Sequence, residues 1–117
     1  MTSGSKLPLT VLLAVRNEAA NLPKCLAALG PAARIVVLDS HSTDATAAIA
    51  ATHGAEVVQF DYRGGYPKKR QWALDHVVIE TPWVLLLDAD EVVPPALWRE
   101  IEAAITVAAP QAAYLVT

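Results

Sequence analysis

Short apolar runs alternate with helical segments along the whole chain, and this alternation limits the possible folds more than any other feature of the sequence. The runs 9–15 and 83–87 consist almost entirely of apolar residues and lack the polar alternation of a half-exposed strand. That pattern is typical of strands buried on both faces of a parallel sheet. Further strands are predicted at 34–38, 56–60 and 112–116.

Helices are predicted between these strands. Their ranges are 21–29, 45–53, 68–78 and a segment that begins at Pro94-Pro95. Strands that alternate with helices through short connections form a mostly parallel sheet covered on both sides. We therefore predict a Rossmann-like α/β fold with three layers, α/β/α.

The chain has 117 residues, of which 54% are hydrophobic. This length suffices for one hydrophobic core and is too short for two, so we expect residues 1–117 to form a single domain. Because the sequence ends on a predicted strand, we expect a truncated sheet that is half of a larger fold. Its last strand would be an edge through which two copies could pair as a homodimer.

Charge and composition exclude several classes of partner. The formal net charge is −3, and the sequence lacks the cluster of Lys and Arg residues that is typical of nucleic-acid binding. The apolar runs fall short of the roughly 20 residues that span a bilayer, and the first residues lack an export signal. With a single cysteine, Cys25, the sequence predicts a protein of the cytoplasm, with the inner face of the membrane as a second option.

Polar residues follow three of the predicted strands. In open parallel sheets, ligands bind beyond the carboxyl ends of the strands, where the strand order changes direction. These ends carry Arg16, Asn17 and Glu18 after the first strand, Asp39 and Asp44 after the second, and Asp88, Asp90 and Glu91 after the fourth. The sequence thus predicts a site at this edge.

The pair Asp88 and Asp90 indicates a divalent metal. Carboxylates crowded on one edge repel each other unless a cation or hydrogen-bond donors compensate. Hard oxygen ligands suit Mg²⁺ or Mn²⁺, which usually also bind substrate phosphates. No glycine-rich loop of the GxGxxG or GxxxxGK[ST] type is present, so the usual dinucleotide and P-loop interpretations are excluded.

The same acids also have purely structural interpretations. Asp88 and Asp90 could be solvated turn residues or a capping pair, although two acids directly after a buried strand favour a site. Asp44 could simply cap the following helix, and capping is as good an interpretation of Glu18 as function is.

Three segments together resemble the signature blocks of family 2 glycosyltransferases in sequence, order and spacing. They are LLAVRNE at 12–18, VVLDSHSTDAT at 36–46 and LLLDADE at 85–91. The resemblance covers about residues 9–101. It implies a GT-A fold whose N-terminal half binds a nucleoside-diphosphate sugar, usually a uridine one.

The resemblance also implies roles for individual residues. Ala14, Arg16 and Glu18 match the strand-end segment that contacts the base and ribose, and Asp39 matches the acid that hydrogen-bonds the base.

The remaining implied contacts come from two later segments. Asp88 matches the acid on the ribose or metal side, and Asp90 matches the metal ligand that bridges to the diphosphate. Ala89, between them, belongs to the residues that bind the nucleotide sugar. Arg70 matches a basic position that faces the nucleotide, although Gln71 replaces the Asn that follows it in related sequences.

The activity implied by the resemblance is an inverting transfer from a UDP-sugar or other nucleotide sugar, with Mn²⁺ or Mg²⁺ as cofactor. The narrower likeness is to bacterial transferases that build lipopolysaccharide core or other surface polysaccharides, with saccharide or lipid-linked acceptors. In the family the general base lies in the acceptor-binding half, well beyond the Asp-x-Asp motif. We therefore expect the base to be absent from this chain.

Two other functions remain open at this point. A non-catalytic module that binds nucleotide sugars would need the same donor site without the acceptor half. A signalling receiver domain has a similar length, but it requires an acidic pair after the first strand, where this sequence has Arg16-Asn17-Glu18. Only Asp61, after the third strand, fits a phospho-accepting aspartate.

Overall fold

Strands and helices alternate through the part of the chain that the structure, a computed structural model, describes: residues 7–60, 72, 77–107 and 113–116. The elements, in order, are β1 (Leu7–Val15), α1 (Leu22–Ala27), β2 (Ala32–Asp39), α2 (Thr46–Thr52), β3 (Glu56–Gln59), β4 (Trp83–Asp88), α3 (Pro95–Val107) and β5 (Ala113–Val116).

The predicted strands all form, with ends that differ from the expectation by two residues or fewer. Helix α1 is shorter than its predicted range of 21–29, because the chain turns at Ala28 to lead into β2. The helix predicted at 68–78 lies largely outside the described residues. Residues 77 and 78 are described and are not helical, so that prediction extended too far.

The described strands form one sheet with the order β3-β2-β1-β4-β5, and every pairing is parallel. The chain proceeds outward from β1 through β2 to β3, then returns to place β4 on the other side of β1. The strand order therefore changes direction between β1 and β4, which is where open α/β sheets bind ligands.

Both faces of the central strand are buried. Leu9, Val11 and Leu13 belong to a core cluster that also contains side chains of all three described helices, whereas Leu12 belongs to a second cluster with residues of β2 and β4. Successive side chains of a strand point to opposite faces. The second cluster is packed against Trp72, Val77 and Ile79 among the described residues. This burial explains why β1 reads as a continuous apolar run.

A hydrogen bond fixes the position of α3 relative to α1. The indole nitrogen Nε1 of Trp98 donates to the backbone oxygen of Ala28 at 2.7 Å. The first turns of α3 are thereby anchored to the end of α1, on the face of the sheet that carries the larger cluster. No helix in the described ranges has both the length and the apolar character that crossing a bilayer requires.

Candidate functional site

The carboxyl ends of β1, β2 and β4 are aligned with one another. Val15 pairs with Asp39 across β1 and β2, and Ala14 pairs with Asp88 across β1 and β4. The acids predicted from two separate sequence blocks are therefore brought to one edge of the sheet, on either side of the strand at which the order changes direction.

Asp39 is a buried acid whose oxygens accept several hydrogen bonds. It is 1% exposed. Its Oδ1 accepts from Ser42 Oγ at 2.5 Å, and its Oδ2 accepts from Gln59 Nε2 at 2.9 Å. The backbone nitrogen of Ser42 lies 3.3 Å from both oxygens. Burial of a carboxylate is costly unless such donors compensate, so this network fixes the carboxylate at the end of β2.

The loop after β1 and the turn after β2 hold each other in place. Asn17 has a positive φ of 51°, a left-handed conformation that Asn tolerates better than most residues. Its backbone nitrogen donates to Ser42 Oγ at 2.8 Å, and its Oδ1 accepts from the backbone nitrogen of Thr43 at 2.8 Å. The segment that ends β1 and the segment that carries Asp39 thus form one connected structure.

Asp44 stabilises this connection rather than extending the site. Its carboxylate accepts hydrogen bonds from the backbone nitrogen and the hydroxyl of Thr46, and from the backbone nitrogen of Ala19 at 3.3 Å. The hydroxyl of Thr46 in particular holds the pKa of Asp44 below its ordinary value. Asp44 therefore links the start of α2 to the loop that follows β1.

Glu18 makes the contacts of a residue at a helix start. Its backbone oxygen accepts from the backbone nitrogens of Asn21 and Leu22, and its Oε1 accepts from Asn21 Nδ2 at 3.0 Å. Its own backbone nitrogen donates to Thr46 Oγ1 at 3.0 Å. The cap residue of α1 is Asn21, and no described side chain caps this helix by a hydrogen bond. These contacts tie Glu18 to the start of the helix and leave both of its interpretations open.

The end of β4 and the turn that follows it expose two carboxylates to solvent. Asp88 and Asp90 are exposed, while Ala89 between them is 2% exposed and packs in the core. Oε1 of Glu91 accepts from the backbone nitrogen of Asp88 at 2.8 Å. This turn fixes the two acids at the edge of the sheet, and the buried side chain of Ala89 leaves only its backbone to contact a ligand.

The acids of both loops influence the same buried thiol. The pKa of Cys25 is raised to about 11, first by burial and then by the negative charges of Glu91, Asp90 and Glu18. The loops that follow β1 and β4 therefore place negative charge on the same side of the sheet, around α1. Such an edge favours a bound cation.

Within the described residues, no group of three or more His, Cys, Asp or Glu side chains is arranged to hold a metal by itself. A metal bound by Asp88 and Asp90 would need further ligands, such as phosphate oxygens or water. This is the usual situation for Mg²⁺ at nucleotide sites, where one or two carboxylates suffice.

The other predicted contacts differ in what the structure describes of them. Arg16 follows β1 directly and is exposed, and Ala14 is partly buried within β1 between β2 and β4. Arg70 and Asp61 lie outside the described residues.

Two residues of the edge, Ser42 and Gln59, were not predicted as parts of the site, and Asn17 was assigned to the edge without a specific contact. Each contributes a hydrogen bond to the network around Asp39 or to the turn that follows it. Asn17 and Gln59 stand at or beyond strand ends, so their positions were readable, but their partners depend on how the loops fold together.

Comparison with known proteins identifies relatives of the chain. The profile of Glycosyl transferase family 2 matches residues 10–114. The lipopolysaccharide core biosynthesis glycosyltransferase LpsC of Rhizobium meliloti is 39% identical over 100 residues, which are 82% of this chain and 36% of LpsC. An uncharacterized glycosyltransferase of Mycobacterium tuberculosis is 42% identical over 81 residues, covering 69% of this chain and 36% of that protein.

Solved structures have the same fold. Glucosyl-3-phosphoglycerate synthase from Mycobacterium tuberculosis, in complex with Mn²⁺, UDP and glucosyl-3-phosphoglycerate, matches with a TM-score of 0.63 and 26% identity. The match covers 83% of this chain and 38% of the synthase. The same enzyme has been solved with Mn²⁺, UDP-glucose and phosphoglyceric acid. The chain thus spans little more than a third of the length of LpsC, of the mycobacterial glycosyltransferase and of the synthase.

Proposed function

The chain belongs to glycosyl transferase family 2, and from this membership we propose that it binds a UDP-sugar with a divalent metal and transfers the sugar, with inversion, to a saccharide or lipid-linked acceptor of the cell envelope. The single observation that supports this most strongly is the alignment of Asp39 and Asp88 on either side of β1, at the carboxyl edge of a GT-A sheet.

The donor site in this proposal comprises residues 14–18, Asp39 and the Asp88–Asp90 segment, with Arg70 as a further contact to the nucleotide. Asp39 accepts a hydrogen bond from the base, and the loop after β1 lies against the base and ribose. Ala89 contributes through its backbone. The domain proposed for residues 1–117 is the nucleotide-sugar-binding part of a glycosyltransferase.

The residues present fit a Mg²⁺ or Mn²⁺ ion. Asp88 and Asp90 are exposed carboxylates two positions apart, on an edge where Glu18 and Glu91 add negative charge. When bound, the metal would neutralise the charge that develops on the departing diphosphate. The structures of glucosyl-3-phosphoglycerate synthase with Mn²⁺ or Mg²⁺ and UDP support this choice of ion.

The residues of this chain bind the leaving group, which is the nucleoside diphosphate. The carboxyl edge would bind the nucleoside diphosphate, and the acceptor hydroxyl attacks the anomeric carbon from the face opposite this leaving group. In an inverting transfer, a base on the acceptor side removes the hydroxyl proton. Glu91 is unsuited to that task because its carboxylate is bonded to the backbone nitrogen of Asp88. We therefore assign it to the turn.

The likeness to LpsC supports a lipopolysaccharide core saccharide as the acceptor, since this relative is more similar in sequence than the synthase that binds phosphoglyceric acid. Such an acceptor is assembled on a lipid, so we place the reaction in the cytoplasm, at the inner face of the membrane.

The test is an assay of UDP release from UDP-glucose, UDP-galactose and UDP-N-acetylglucosamine with Mn²⁺ and a lipopolysaccharide core acceptor. The proposal predicts release that depends on both metal and acceptor, and that is lost in Asp90→Asn. The variant Glu100→Gln, altered at an exposed position of α3, serves as the matched control and should keep the full rate.

Two other results would have different meanings. Metal-dependent binding of UDP-sugar without turnover would identify the chain as a donor-binding module without the general base, which is the second candidate. Absence of both binding and turnover in the folded protein would contradict the proposal.

A further inference from the structure

We infer that Gln59 is a positioning residue that sets the orientation of the Asp39 carboxylate and thereby the preference of the site for uracil over cytosine. The inference rests on the proposed function, because it assumes that Asp39 faces a nucleotide base. The hydrogen bonds that carry it belong to the described structure and do not depend on a ligand.

Both ends of the Gln59 amide are engaged. Nε2 donates to Asp39 Oδ2 at 2.9 Å, and Oε1 accepts from the backbone nitrogen of His41 at 3.0 Å. Gln59 is the last residue of β3 and pairs with Asp39 in the register of β2 and β3. The side chain therefore spans from the carboxylate to the turn that follows it.

The turn that Gln59 supports has an unusual backbone. His41 has a φ of 48°, in the left-handed region that few residues other than Gly adopt, although His, Asn and Asp do so more often than most. The hydrogen bond from its backbone nitrogen to Gln59 helps to hold that conformation. Ser42, the next residue, supplies the other donors to Asp39. One amide thus stabilises both the acid and the turn that orients it.

The donors around Asp39 determine which direction remains for a ligand. A carboxylate has about four acceptor positions. Ser42 Oγ and Gln59 Nε2 each bond to a different oxygen, and the backbone nitrogen of Ser42 lies between the two. Gln59 is the donor that comes from a neighbouring strand rather than from the turn itself. Without it, Oδ2 loses its shortest bond, and only the donors of Ser42 still orient the carboxylate.

The orientation of the carboxylate matters for the choice of base because the two pyrimidines differ in the hydrogen-bonding character of N3. Uracil carries a hydrogen on N3 and can donate to a fixed carboxylate, whereas N3 of cytosine is an acceptor and is repelled. A carboxylate held only by the donors of Ser42 is less precisely oriented, which weakens this discrimination. The side chain of Gln59 lies at the exposed surface, so its removal creates no cavity in the core.

The experiment compares dissociation constants for UDP and CDP, each with Mn²⁺, in the wild type and in Gln59→Met and Gln59→Glu. Both nucleotides carry the same diphosphate, so changes in overall stability affect them alike and cancel in the ratio. Gln59→Glu also brings a second carboxylate next to Asp39, and Gln59→Met is the variant that leaves the charge unchanged. Gln59→Glu keeps the acceptor for His41 but loses the donor to Asp39. Glu100→Met, an equally exposed change on α3, is the control.

We expect Gln59→Met to weaken UDP binding about tenfold and CDP binding much less, which corresponds to the loss of one hydrogen bond to a charged group. Gln59→Glu should show the same fall in the ratio while protection of the His41 amide from hydrogen exchange is retained. The control should match the wild type. Equal weakening of both nucleotides, or an unchanged ratio, would overturn the inference.

If the wild-type protein binds neither UDP nor CDP, the proposed function is refuted. The positioning role of Gln59 is then tested by two NMR measurements on the ligand-free protein. The carboxyl ¹³C resonance of Asp39 and the exchange rate of the His41 amide should both change in Gln59→Met. If both remain as in the wild type, Gln59 does not position Asp39.

Discussion

Asp88 of β4 pairs with Ala14 of β1 in the parallel ladder, so the first acid of the Asp88–Asp90 pair lies beside the strand at which the sheet order changes direction. On the other side of the same strand, Val15 pairs with Asp39. The carboxyl ends of β2, β1 and β4 therefore form a single surface.

We propose that Glu91 acts in the turn and not in proton transfer, and the substitution Glu91→Gln tests this. The amide oxygen of Gln can accept from the backbone nitrogen of Asp88 as Glu91 Oε1 does at 2.8 Å. We expect UDP affinity and the rate of sugar transfer to remain within about threefold of the wild type. A general base would lose on the order of 10²–10⁴ in rate, and a fall of that size would contradict the assignment.

Thr46 links the loop after β1 to α2. Its side chain is fully buried, and its Oγ1 accepts from the backbone nitrogen of Glu18 while donating to Asp44. Thr46→Val preserves the shape but removes both bonds. We expect urea unfolding to show a loss of about 1–3 kcal/mol, since the buried hydroxyl is lost and its partners are left unsatisfied.

The matched control for that change is Thr52→Val in the same helix. Thr52 is exposed, and its Oγ1 donates to the backbone oxygen of Ala48, one turn earlier in α2. Its substitution should change the free energy of unfolding by about 0.5 kcal/mol or less. Equal losses in the two variants would show that the bonds of Thr46 have no particular importance.

Arg34 stabilises the amino edge of the sheet, away from the candidate site. It forms two hydrogen bonds with Glu56, at 2.7 and 2.8 Å, and a third with the backbone oxygen of Val78 at 2.6 Å. Because the pair is partly exposed, we expect Arg34→Met to cost about 1 kcal/mol and to leave UDP affinity unchanged.

The contribution of this pair should depend on pH. The hydrogen bond from Arg34 holds the pKa of Glu56 below its ordinary value of 4.5, so the stabilisation is present above that value and is lost as the pH falls through the lowered pKa. Denaturation curves of the wild type and Arg34→Met should therefore converge at acidic pH. The control Lys24→Met removes a positive charge from the exposed surface of α1, and its difference from the wild type should show no such convergence.

Cys25 makes stability sensitive to alkaline pH. Burial raises the pKa of its thiol from 9.0 to about 11. The folded state therefore favours the neutral thiol, and this contribution is complete below pH 9 and lost as the pH rises toward 11. The shift corresponds to about 3 kcal/mol as an upper figure.

Tyr and Lys side chains also titrate in this range, so the relevant measurement is the difference between the wild type and Cys25→Ala. Their unfolding free energies, measured from about pH 8 to 11, should change relative to each other, with the wild type losing more as the pH rises. A difference that stays constant over this range would show that the thiol is not shifted in the folded protein.

The strands and the edge that carries the acids could be predicted from the sequence because both depend on local patterns. Buried parallel strands appear as uninterrupted apolar runs, as in β1 and β4. The carboxyl end of each strand follows directly from its last apolar residue, which is why the sequence alone assigns Asp39 and Asp88 to one edge.

The network around Asp39 could not be predicted, because it depends on contacts between residues distant in sequence. Gln59 lies 20 positions from Asp39, and Asn17 lies 25 positions from Ser42. Their meeting requires the register of β3 against β2 and the left-handed backbone of Asn17. Similarly, the sequence context of Glu18 is compatible with both of its interpretations, and its bond to the side chain of Asn21 could not be predicted from either.

The central claim, a metal-dependent nucleotide site at the carboxyl edge, is tested most directly by calorimetric titration of UDP with and without Mn²⁺, in the wild type and in Asp90→Asn. We expect binding by the wild type that requires Mn²⁺, and at least a tenfold weaker, metal-independent interaction in the variant at unchanged thermal stability. Metal-dependent binding of equal strength in Asp90→Asn, or no binding of UDP by the folded wild type, would contradict it.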